Sequence, residues 1–263
     1  MNEIDFVEEA LDFSKTLELD LAKKIHAFDD ISSTNMKAKE LAKKGAEQGT
    51  IVLSKIQTKG RGRFDRNWKS PEDGLYFSII LRPNCKPEKA TIFPLLAALS
   101  ICETVKSICD LDVKIKWPND VLINGRKVSG ILLETESKKD LIDHVIIGIG
   151  INLNIDLDML SKEFNATSIS YEIGIKLNYF DFFKKVLFQL DKFYKIFSEG
   201  KYDIVLSEWK QNSDTIGKNV KIKSSNEEML GKAINIDENG FLIIKTESGE
   251  NKKITSGDCF YII

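Results

Sequence analysis

The dipeptide Asn124-Gly125 lies between two apolar runs, and it constrains the fold more than any other feature of the sequence. Both central positions of a two-residue hairpin turn need positive φ, which asparagine and glycine adopt readily. The run VKIKWPND (113–120) leads into VLI before the turn, and RKVSGILLETES follows it. The pattern therefore predicts two antiparallel strands that are neighbours in one sheet.

Further strands and helices are predicted on both sides of this hairpin. Leu75, Phe77, Ile79 and Leu81 alternate with other residues, which indicates a strand with one buried face. The composition of GIGINLN (148–154) instead predicts a strand buried on both faces. The predicted strands cover 25–31, 50–57, 74–83 and 144–154, and the predicted helices are an interrupted one across 3–25, one between a Ser33-Thr34 cap and Gly45, and those at 92–108, 178–197 and 202–210. Mixed hairpins and long helices without regular βαβ alternation favour an α+β fold.

The pattern of residue types changes after Asn212, where short runs of strand-forming residues alternate with turn residues. Four or five strands are predicted there, in NVKIKSS, EEMLGKAINID, ENGFLIIKTESGE and NKKITSGDCFYII. We expect these strands to form a small β-barrel. The predicted domains are therefore 1–212, which carries the candidate site, and 213–263.

Composition excludes several classes of protein. The net charge of −2 gives no global attraction to nucleic acid or to an anionic membrane. The N-terminal residues are acidic and do not resemble a signal peptide, and no apolar run is long enough to span a bilayer. Four cysteines without a Cys-x-x-Cys pair, and only two histidines, argue against a disulfide scaffold and a multi-histidine metal site. A reducing cytoplasm is the expected location.

The segment 60–71, GRGRFDRNWKSP, is the strongest candidate for chemistry. Its glycines let the backbone approach a ligand closely, and its arginines offer forked donors for phosphate or carboxylate. The same residues could instead form a solvated basic loop that touches RNA. The segment has no Gly-x-x-x-x-Gly-Lys-Ser/Thr pattern, so it is not a Walker A loop.

Three weaker segments carry polar groups at the ends of predicted elements. In KWPND, Asp120 could bind Mg²⁺ or a ribose hydroxyl, although Asn-Asp is also common turn chemistry. Lys127 begins an apolar strand and should face water or an anion. Gly130 within that strand indicates a close approach by a ligand or another backbone. Ser33-Thr34-Asn35 caps a predicted helix, and such hydroxyls and amides also bind polar ligand groups.

Taken in order, Ser33-Thr34-Asn35, Gln57, GRGRFDRNW, KWPNDV, KVSGILLE and GIGINLN resemble the motifs of biotin protein ligases. The resemblance is strong over residues 28–155 and implies the class II synthetase-like fold of biotin and lipoate ligases. That fold is a central mixed sheet flanked by helices, with a small C-terminal β-barrel. Longer members carry an N-terminal DNA-binding domain. Only 32 residues precede Ser33, so the resemblance implies the short class, without DNA binding.

The resemblance also implies a reaction and a set of residue roles. Biotin and ATP would give biotinyl-5′-adenylate, which a lysine of a carrier protein then attacks, with Mg²⁺ as the accompanying ion and no prosthetic group. The implied biotin-binding residues are Ser33, Thr34, Asn35, Gln57, Arg61, Gly62, Arg63, Lys127 and Gly130. The implied adenylate-binding residues are Arg61, Arg63, Arg66, Trp68, Lys116, Asn119 and Asn152. Lys127, Arg63 and Asp120 would be catalytic, and Asp120 would also bind the metal.

Two other functions stay open on the sequence alone. A lipoate or octanoate ligase shares the implied fold, although the GRGR loop followed by Arg66 and Trp68 favours biotin. A non-catalytic nucleic-acid binder would need a broad basic face, which a chain of net charge −2 does not favour. The expected partner is a biotin carboxyl carrier protein or the carrier domain of a carboxylase, with neither DNA nor membrane as a partner. A homodimer formed through edge strands is an open alternative.

Overall fold

The computed structural model describes residues 5–160, 165–224 and 227–262. Ile4, which belongs to the first predicted helix, lies outside these residues. The helices are Phe6–Ser14 (α1), Thr34–Lys43 (α2), Ile92–Lys106 (α3), Ile169–Ile173 (α4), Tyr179–Ser198 (α5) and Tyr202–Gln211 (α6). The strands are Lys24–Ile31 (β1), Thr50–Gln57 (β2), Leu75–Leu81 (β3), Val113–Lys116 (β4), Asp120–Ile123 (β5), Arg126–Lys138 (β6), Leu141–Ile151 (β7), Asn219–Lys223 (β8), Glu228–Ile236 (β9), Leu242–Lys245 (β10), Asn251–Ile254 (β11) and Asp258–Tyr261 (β12).

The first seven strands form one mixed sheet in the order β1-β2-β3-β7-β6-β5-β4. β1 and β2 run parallel and are joined through α2, whereas the other neighbours are antiparallel. Helices cover both faces: α3 and α5 pack in the large core with Phe77 and Ile79, and α2 packs on the opposite face with Ile80. The predicted α+β fold with a central mixed sheet is confirmed.

Strand β3 corrects one expectation from the sequence. All seven of its residues are buried, so the prediction of a single buried face is wrong. The intervening positions Tyr76 and Ser78 have polar side chains, yet both side chains are satisfied inside the protein. The Tyr76 hydroxyl donates to the carbonyl of Pro71 over 2.9 Å, and Ser78 bonds to residues of α2.

The hairpin predicted from Asn124-Gly125 is present between β5 and β6. Asn124 has φ 51° and Gly125 has φ 74°, which are the positive values that such a turn needs. Ile123 pairs with Arg126 across the turn. This hairpin fixes the start of β6, and with it the position of Lys127 at the edge of the candidate site.

The last five strands form a separate antiparallel sheet in the order β11-β10-β9-β8-β12. Among the described residues, its two edge strands, β11 and β12, do not pair with each other, so the sheet is open and the predicted closed barrel is wrong. Closure of a barrel needs pairing between the edge strands, and here each edge strand has only four residues at opposite ends of the sheet.

The segment that connects the two sheets, around residues 212 and 213, is hydrogen-bonded to the first sheet. Ile115 donates its backbone N–H to the carbonyl of Asn212 over 2.8 Å, and it forms a parallel bridge with Ser213. The domain boundary between residues 212 and 213 therefore stays a prediction. Trp117 adds contacts with the second sheet, since its backbone N–H donates to Thr215 Oγ1 over 2.9 Å and its indole donates to the carbonyl of Gly240 over 3.2 Å.

The helices of the described ranges include none whose length and apolarity would let it cross a membrane.

Candidate active site

A cleft of about 160 Å³ lies where the two sheets meet. Four parts of the chain form it: the loop 60–71, which joins β2 to β3; the turn between β4 and β5; the adjoining strands β6 and β7; and the start of β12. The residues that line it include Arg61, Gly62, Arg63, Arg66, Trp68, Lys116, Asn119, Asp120, Lys127, Gly130, Asn152 and Asp258. The cleft therefore brings together every predicted adenylate-binding residue with Lys127, Asp120 and Gly130.

The loop 60–71, called here the arginine loop, is closed by backbone contacts at its base. Trp68 donates its N–H to the carbonyl of Gly60 over 2.9 Å, and Gln57 pairs with Ser70. A Cβ at Gly60 would overlap the carbonyl of Trp68, so glycine is required for this close approach. At the tip, Phe64 and Asp65 adopt positive φ of 53° and 55°. Side chains with Cβ atoms rarely adopt this conformation, which the surroundings must therefore hold in place.

Two arginines of the loop reach across the cleft. Arg63 donates to Asn119 Oδ1 over 3.2 Å and to the carbonyl of Gly257 over 2.9 Å. Arg66 Nη2 donates to Asp258 Oδ1 over 2.6 Å. Burial lowers the pKa of the Arg63 guanidinium, and the carboxylates of Asp258 and Asp120 oppose that shift. Both guanidinium groups are therefore placed to bind an anion beside the second sheet.

Lys127 and Asp120 form an ion pair at the opposite wall. Lys127 Nζ lies 2.6 Å from Asp120 Oδ1, and both side chains are largely buried. The ammonium group also lies 5.3 Å from the centre of the Trp68 ring, within range of a cation–π interaction. Lys127 is the second residue of β6 and precedes the buried Val128, and the pair explains how its charge is tolerated there.

The indole of Trp68 lies on a floor made by two glycines. Gly130 and Gly150 pair across β6 and β7. A Cβ at Gly130 would come within 2.9 Å of the indole, and one at Gly150 within 2.5 Å. The indole N–H is buried and has no hydrogen-bond partner among the residues that the structure describes. An unmet buried donor costs about 1–3 kcal/mol, so an acceptor atom on a ligand would stabilise this arrangement.

Comparison with known proteins identifies the family to which this geometry belongs. Residues 27–152 match the biotin/lipoate A/B protein ligase family, and residues 215–261 match the biotin protein ligase C-terminal domain. A relative from Bacillus spizizenii, named bifunctional ligase/repressor BirA, is 38% identical over 88% of this chain and 71% of its own length. The chain belongs to the biotin protein ligase family.

Two further relatives support this assignment. The biotin–[acetyl-CoA-carboxylase] ligase of Paracoccus denitrificans is 29% identical over 87% of this chain and 97% of its own length. The solved structure of a biotin protein ligase from Aquifex aeolicus in complex with biotin and ATP matches with a TM-score of 0.75 and 31% identity, over 91% of this chain and 99% of that one. The fold implied by the resemblance is thus confirmed, except for the closed barrel.

The biotin-binding residues that the family resemblance implies at the start of α2 lie behind the arginine loop, in a buried polar network. Thr34 donates to Gln57 Oε1 from its backbone nitrogen over 2.8 Å and from its hydroxyl over 3.0 Å. Gln57 Nε2 donates to Ser70 Oγ over 2.9 Å, which ties the network to the arginine loop. Ser33 occupies the N-cap position of α2 as predicted, but its side chain makes no capping hydrogen bond.

Asn35 extends this network to a carboxylate that the sequence reasoning did not assign. Asn35 Nδ2 donates to Glu134 Oε2 over 3.0 Å, and Arg61 lies 3.4 Å from the same carboxylate. Burial favours the neutral acid, but the hydrogen bond from Asn35 and the charges of Arg61 and Lys39 outweigh burial and lower the pKa of Glu134. Arg61 therefore points to Glu134, whereas the other two arginines of the loop point to the second sheet.

Three residues at the site were missed by the sequence reasoning, and only two of them carried a signal. Ser78 is a polar residue in an apolar strand, and its Oγ donates to Asn35 Oδ1 over 2.6 Å. Glu134 ends the segment KVSGILLE that carried the resemblance. Asp258 carries no such signal, because its partner Arg66 is 192 positions away in the chain.

Asn152, Asn119 and Lys116, which were predicted to bind adenylate, also line the cleft. Asn152 is buried, and its side chain donates to the carbonyl of Thr167 over 2.9 Å. Asn119 Nδ2 donates to the carbonyl of Ile131, so its oxygen stays available to Arg63. Lys116 lies 4.6 Å above the ring of Tyr261 in the second sheet. These contacts hold polar groups around the cleft in fixed orientations.

Within residues 5–160, 165–224 and 227–262, no group of three or more His, Cys, Asp or Glu side chains could hold a metal ion. Two carboxylates line the cleft, those of Asp120 and Asp258, and each faces a cation of the protein. Mg²⁺ commonly binds through one or two carboxylates together with phosphates of the substrate. The donor set therefore fits an ion that is shared with a triphosphate.

Proposed function

We propose that this protein activates biotin with ATP to give biotinyl-5′-adenylate, and then transfers the biotinyl group to a lysine of a carrier domain. The observation that carries the proposal is the convergence of Arg63, Arg66 and Lys127 on one cleft whose floor is made of glycine and tryptophan. The match to a biotin protein ligase in complex with biotin and ATP supports it.

In the first step, an oxygen of the biotin carboxylate attacks the α-phosphorus of ATP. A new P–O bond forms, the bond to the β-phosphate breaks, and pyrophosphate leaves. Both reactants are anionic, so the protein must neutralise their charge and hold them in line. We propose that Lys127 turns from Asp120 to the carboxylate and the α-phosphate, and that Arg63 covers the same atoms from the opposite side. Arg66 and Lys116 would face the departing phosphates.

In the second step, the acceptor lysine attacks the carbonyl carbon of the mixed anhydride. The new C–N bond forms, the C–O bond to the phosphate breaks, and AMP leaves with its electron pair. The attacking amine must lose a proton. Once Lys127 engages the phosphate, the carboxylate of Asp120 is free to orient the amine and accept this proton.

The ligand groups would divide between two parts of the site. Ser33, Thr34, Asn35 and Gln57 would bind or support the ureido end of biotin, with Arg61, Gly62 and Gly130 around its carboxylate arm. Trp68 and Asn152 would flank the adenine and ribose, with the indole N–H meeting an acceptor atom, and Asn119 would orient Arg63. Asp120 would serve as a ligand to Mg²⁺, which supplies charge neutralisation at the triphosphate when bound.

The partner that this chemistry requires is a folded domain that presents a lysine, and we propose the biotin carboxyl carrier domain of a carboxylase. Four unpaired cysteines fit a reducing compartment, so we propose the cytoplasm. A homodimer through sheet edges stays a proposal that the oligomeric state in solution would decide.

Exchange of label between pyrophosphate and ATP tests the first step and separates biotin from lipoate. We expect exchange that requires biotin and Mg²⁺ and does not occur with lipoate or octanoate. Removing a charge that stabilises a transition state lowers rates by about 10²–10³-fold, so Lys127→Met should lose most of the exchange. Lys114→Met, on strand β4 of the same sheet and outside the residues that line the cleft, is the matched control and should retain it.

Transfer of labelled biotin to a carrier domain then tests the second step, with each component omitted in turn. Equal exchange with lipoate would favour the lipoate ligase alternative. Absence of exchange with biotin, in protein that is folded by circular dichroism, would refute the proposed function.

A further inference from the structure

Asp258 of the second sheet is the carboxylate that faces the arginine loop most directly. Its Oδ1 lies 2.6 Å from Arg66 Nη2 and 3.8 Å from Arg63 Nη1. The preceding residue, Gly257, accepts a hydrogen bond from Arg63 Nη2 through its carbonyl. Asp258, the first residue of β12, and Gly257 just before it thus contact the guanidinium groups that span the cleft.

Arg63, Arg66 and Asp258 form a cluster with a net positive charge, which suits an anionic substrate. Arg63 and Arg66 both lie near the Phe64 ring, whose centre is 4.9 Å from the Arg63 guanidinium carbon and 5.7 Å from that of Arg66, and both face the same oxygen of Asp258. Two like charges so close repel each other unless a counter-charge lies between them. Asp258 balances one of the two guanidinium groups, and Lys127 balances the nearby Asp120, so these five groups keep a net charge of +1. The cluster is therefore held together without losing its attraction for phosphate.

The backbone of the loop also requires an external constraint. Phe64 and Asp65 both hold positive φ, a conformation that side chains with a Cβ adopt only where surrounding contacts enforce it. Contacts within the loop include backbone bonds that join Gly62 to Arg66 and Arg66 to Arg63 across the tip. These two arginines also make contacts outside the loop, with Asp258 and Gly257 at the start of β12 and with Asn119.

We propose that Asp258 is a positioning residue for the adenylation step: it holds Arg66, and through the loop Arg63, over the cleft, so that the second sheet controls the affinity for ATP. This inference rests on the proposed function. Asp258 itself touches no reacting atom, and its effect passes through Arg66. An alternative reading, in which Asp258 only competes with the phosphates for Arg66, predicts the opposite change in affinity.

The test uses the full-length protein with Asp258→Asn, which keeps the shape of the side chain and removes its charge. Glu228→Gln is the matched control, because Glu228 lies on the same face of the same sheet, in register with Lys223, which also pairs with Asp258. Two quantities are measured: hydrogen exchange of the amides of residues 61–68 without any ligand, and KM and kcat for ATP in biotin-dependent pyrophosphate exchange.

We expect Asp258→Asn to speed amide exchange in the loop at least threefold and to raise the KM for ATP about three- to tenfold, with kcat within about twofold. A charged hydrogen bond is worth more than this when fully buried, and partial exposure reduces it. In an Arg66→Met background, the further effect of Asp258→Asn on KM should disappear. Glu228→Gln should change neither quantity.

Unchanged exchange of the loop amides in Asp258→Asn would overturn the proposal, because Asp258 would then not hold the loop. A lower KM for ATP would overturn it in favour of competition with the phosphates. Additive effects with Arg66→Met would show that Asp258 does not act through Arg66. Failure of the wild-type protein to exchange pyrophosphate with biotin would refute the proposed function instead, while the ligand-free measurement would still decide whether Asp258 holds the loop.

Discussion

Gly148 of β7 makes the buried polar network possible, and Gly148→Ala should disrupt it. A Cβ at this position would overlap Asn35 Oδ1 and lie 2.7 Å from Asn35 Cγ. The backbone φ of Gly148 is compatible with alanine, so the missing space is the only obstacle. Asn35 is buried at the start of α2 and cannot turn to solvent. Its amide must therefore leave its present partners.

The cost follows from the hydrogen bonds that Asn35 would lose. Its oxygen accepts from Ser78 over 2.6 Å, and its nitrogen donates to the carboxylate of Glu134 over 3.0 Å. A neutral hydrogen bond contributes about 1 kcal/mol and a bond to a charged group about 2 kcal/mol, so we expect Gly148→Ala to lower the free energy of unfolding by about 3 kcal/mol. Overpacking alone costs about 1–3 kcal/mol. The side chain of Asn35 can relieve the overlap by giving up its hydrogen bonds, so the two costs do not add fully.

Urea unfolding followed by circular dichroism measures the free energy of unfolding. A double-mutant cycle compares wild type, Gly148→Ala, Asn35→Ala and the double variant. Asn35→Ala removes the atoms that the new methyl group would meet, so Gly148→Ala should cost far less in that background, with a coupling between the two changes of about 0.5–3 kcal/mol, the range for residues in contact. An equal loss of stability in both backgrounds would refute the reasoning, because the obstacle would then lie elsewhere.

Three other predictions concern the arginine loop and the thiols. Arg63→Gly should release the reactive adenylate and label bystander lysines at least tenfold more than wild type, as measured by mass spectrometry; unchanged selectivity would contradict the role of Arg63. Biotin with ATP should protect residues 60–71 from proteases, and equal cleavage with and without the ligands would argue against ordering of the loop. Burial raises the pKa of Cys85 to about 11 and of Cys102 and Cys259 to about 12, above the ordinary thiol value of 9.0. Ionisation of the unfolded thiols should therefore lower the free energy of unfolding as pH rises from 9 to 12, and a stability that stays constant or rises over this range would contradict it.

Local patterns predicted those parts of the fold that depend on near neighbours in the chain. The Asn124-Gly125 hairpin and the doubly buried strand that carries GIGIN follow from turn chemistry and composition, and both are present. The single buried face predicted for β3 was wrong because Ser78 is polar in type but is satisfied internally by Asn35. The alternation of apolar and polar residues along a strand reflects only residue type. Burial of each face depends on which elements pack against it.

The closed barrel was wrong for a related reason. Short alternating strands predict an antiparallel sheet, but whether β11 and β12 meet depends on strand length, tilt and stagger, which the pattern does not encode.

In the candidate site too, residues close together in the chain were predicted, whereas contacts between distant parts of the chain were not. The arginine loop was found because glycines and arginines cluster within a few positions, and the structure places that loop at the cleft. Asp258 was not found, because an aspartate in a β-rich segment gives no indication that it will meet Arg66 from the other end of the chain.

Trp117 couples the melting of the two sheets. Its nitrogens are bonded to Thr215 and Gly240, while its neighbours Lys116 and Asp120 line the cleft. Trp117 is only 3% exposed in the intact protein, and loss of the second sheet would expose its large apolar ring to water. The second sheet should therefore not behave as an independent foldon. The whole chain should give one heat-capacity peak, and substrates bound beside this tryptophan should shift that peak as a unit.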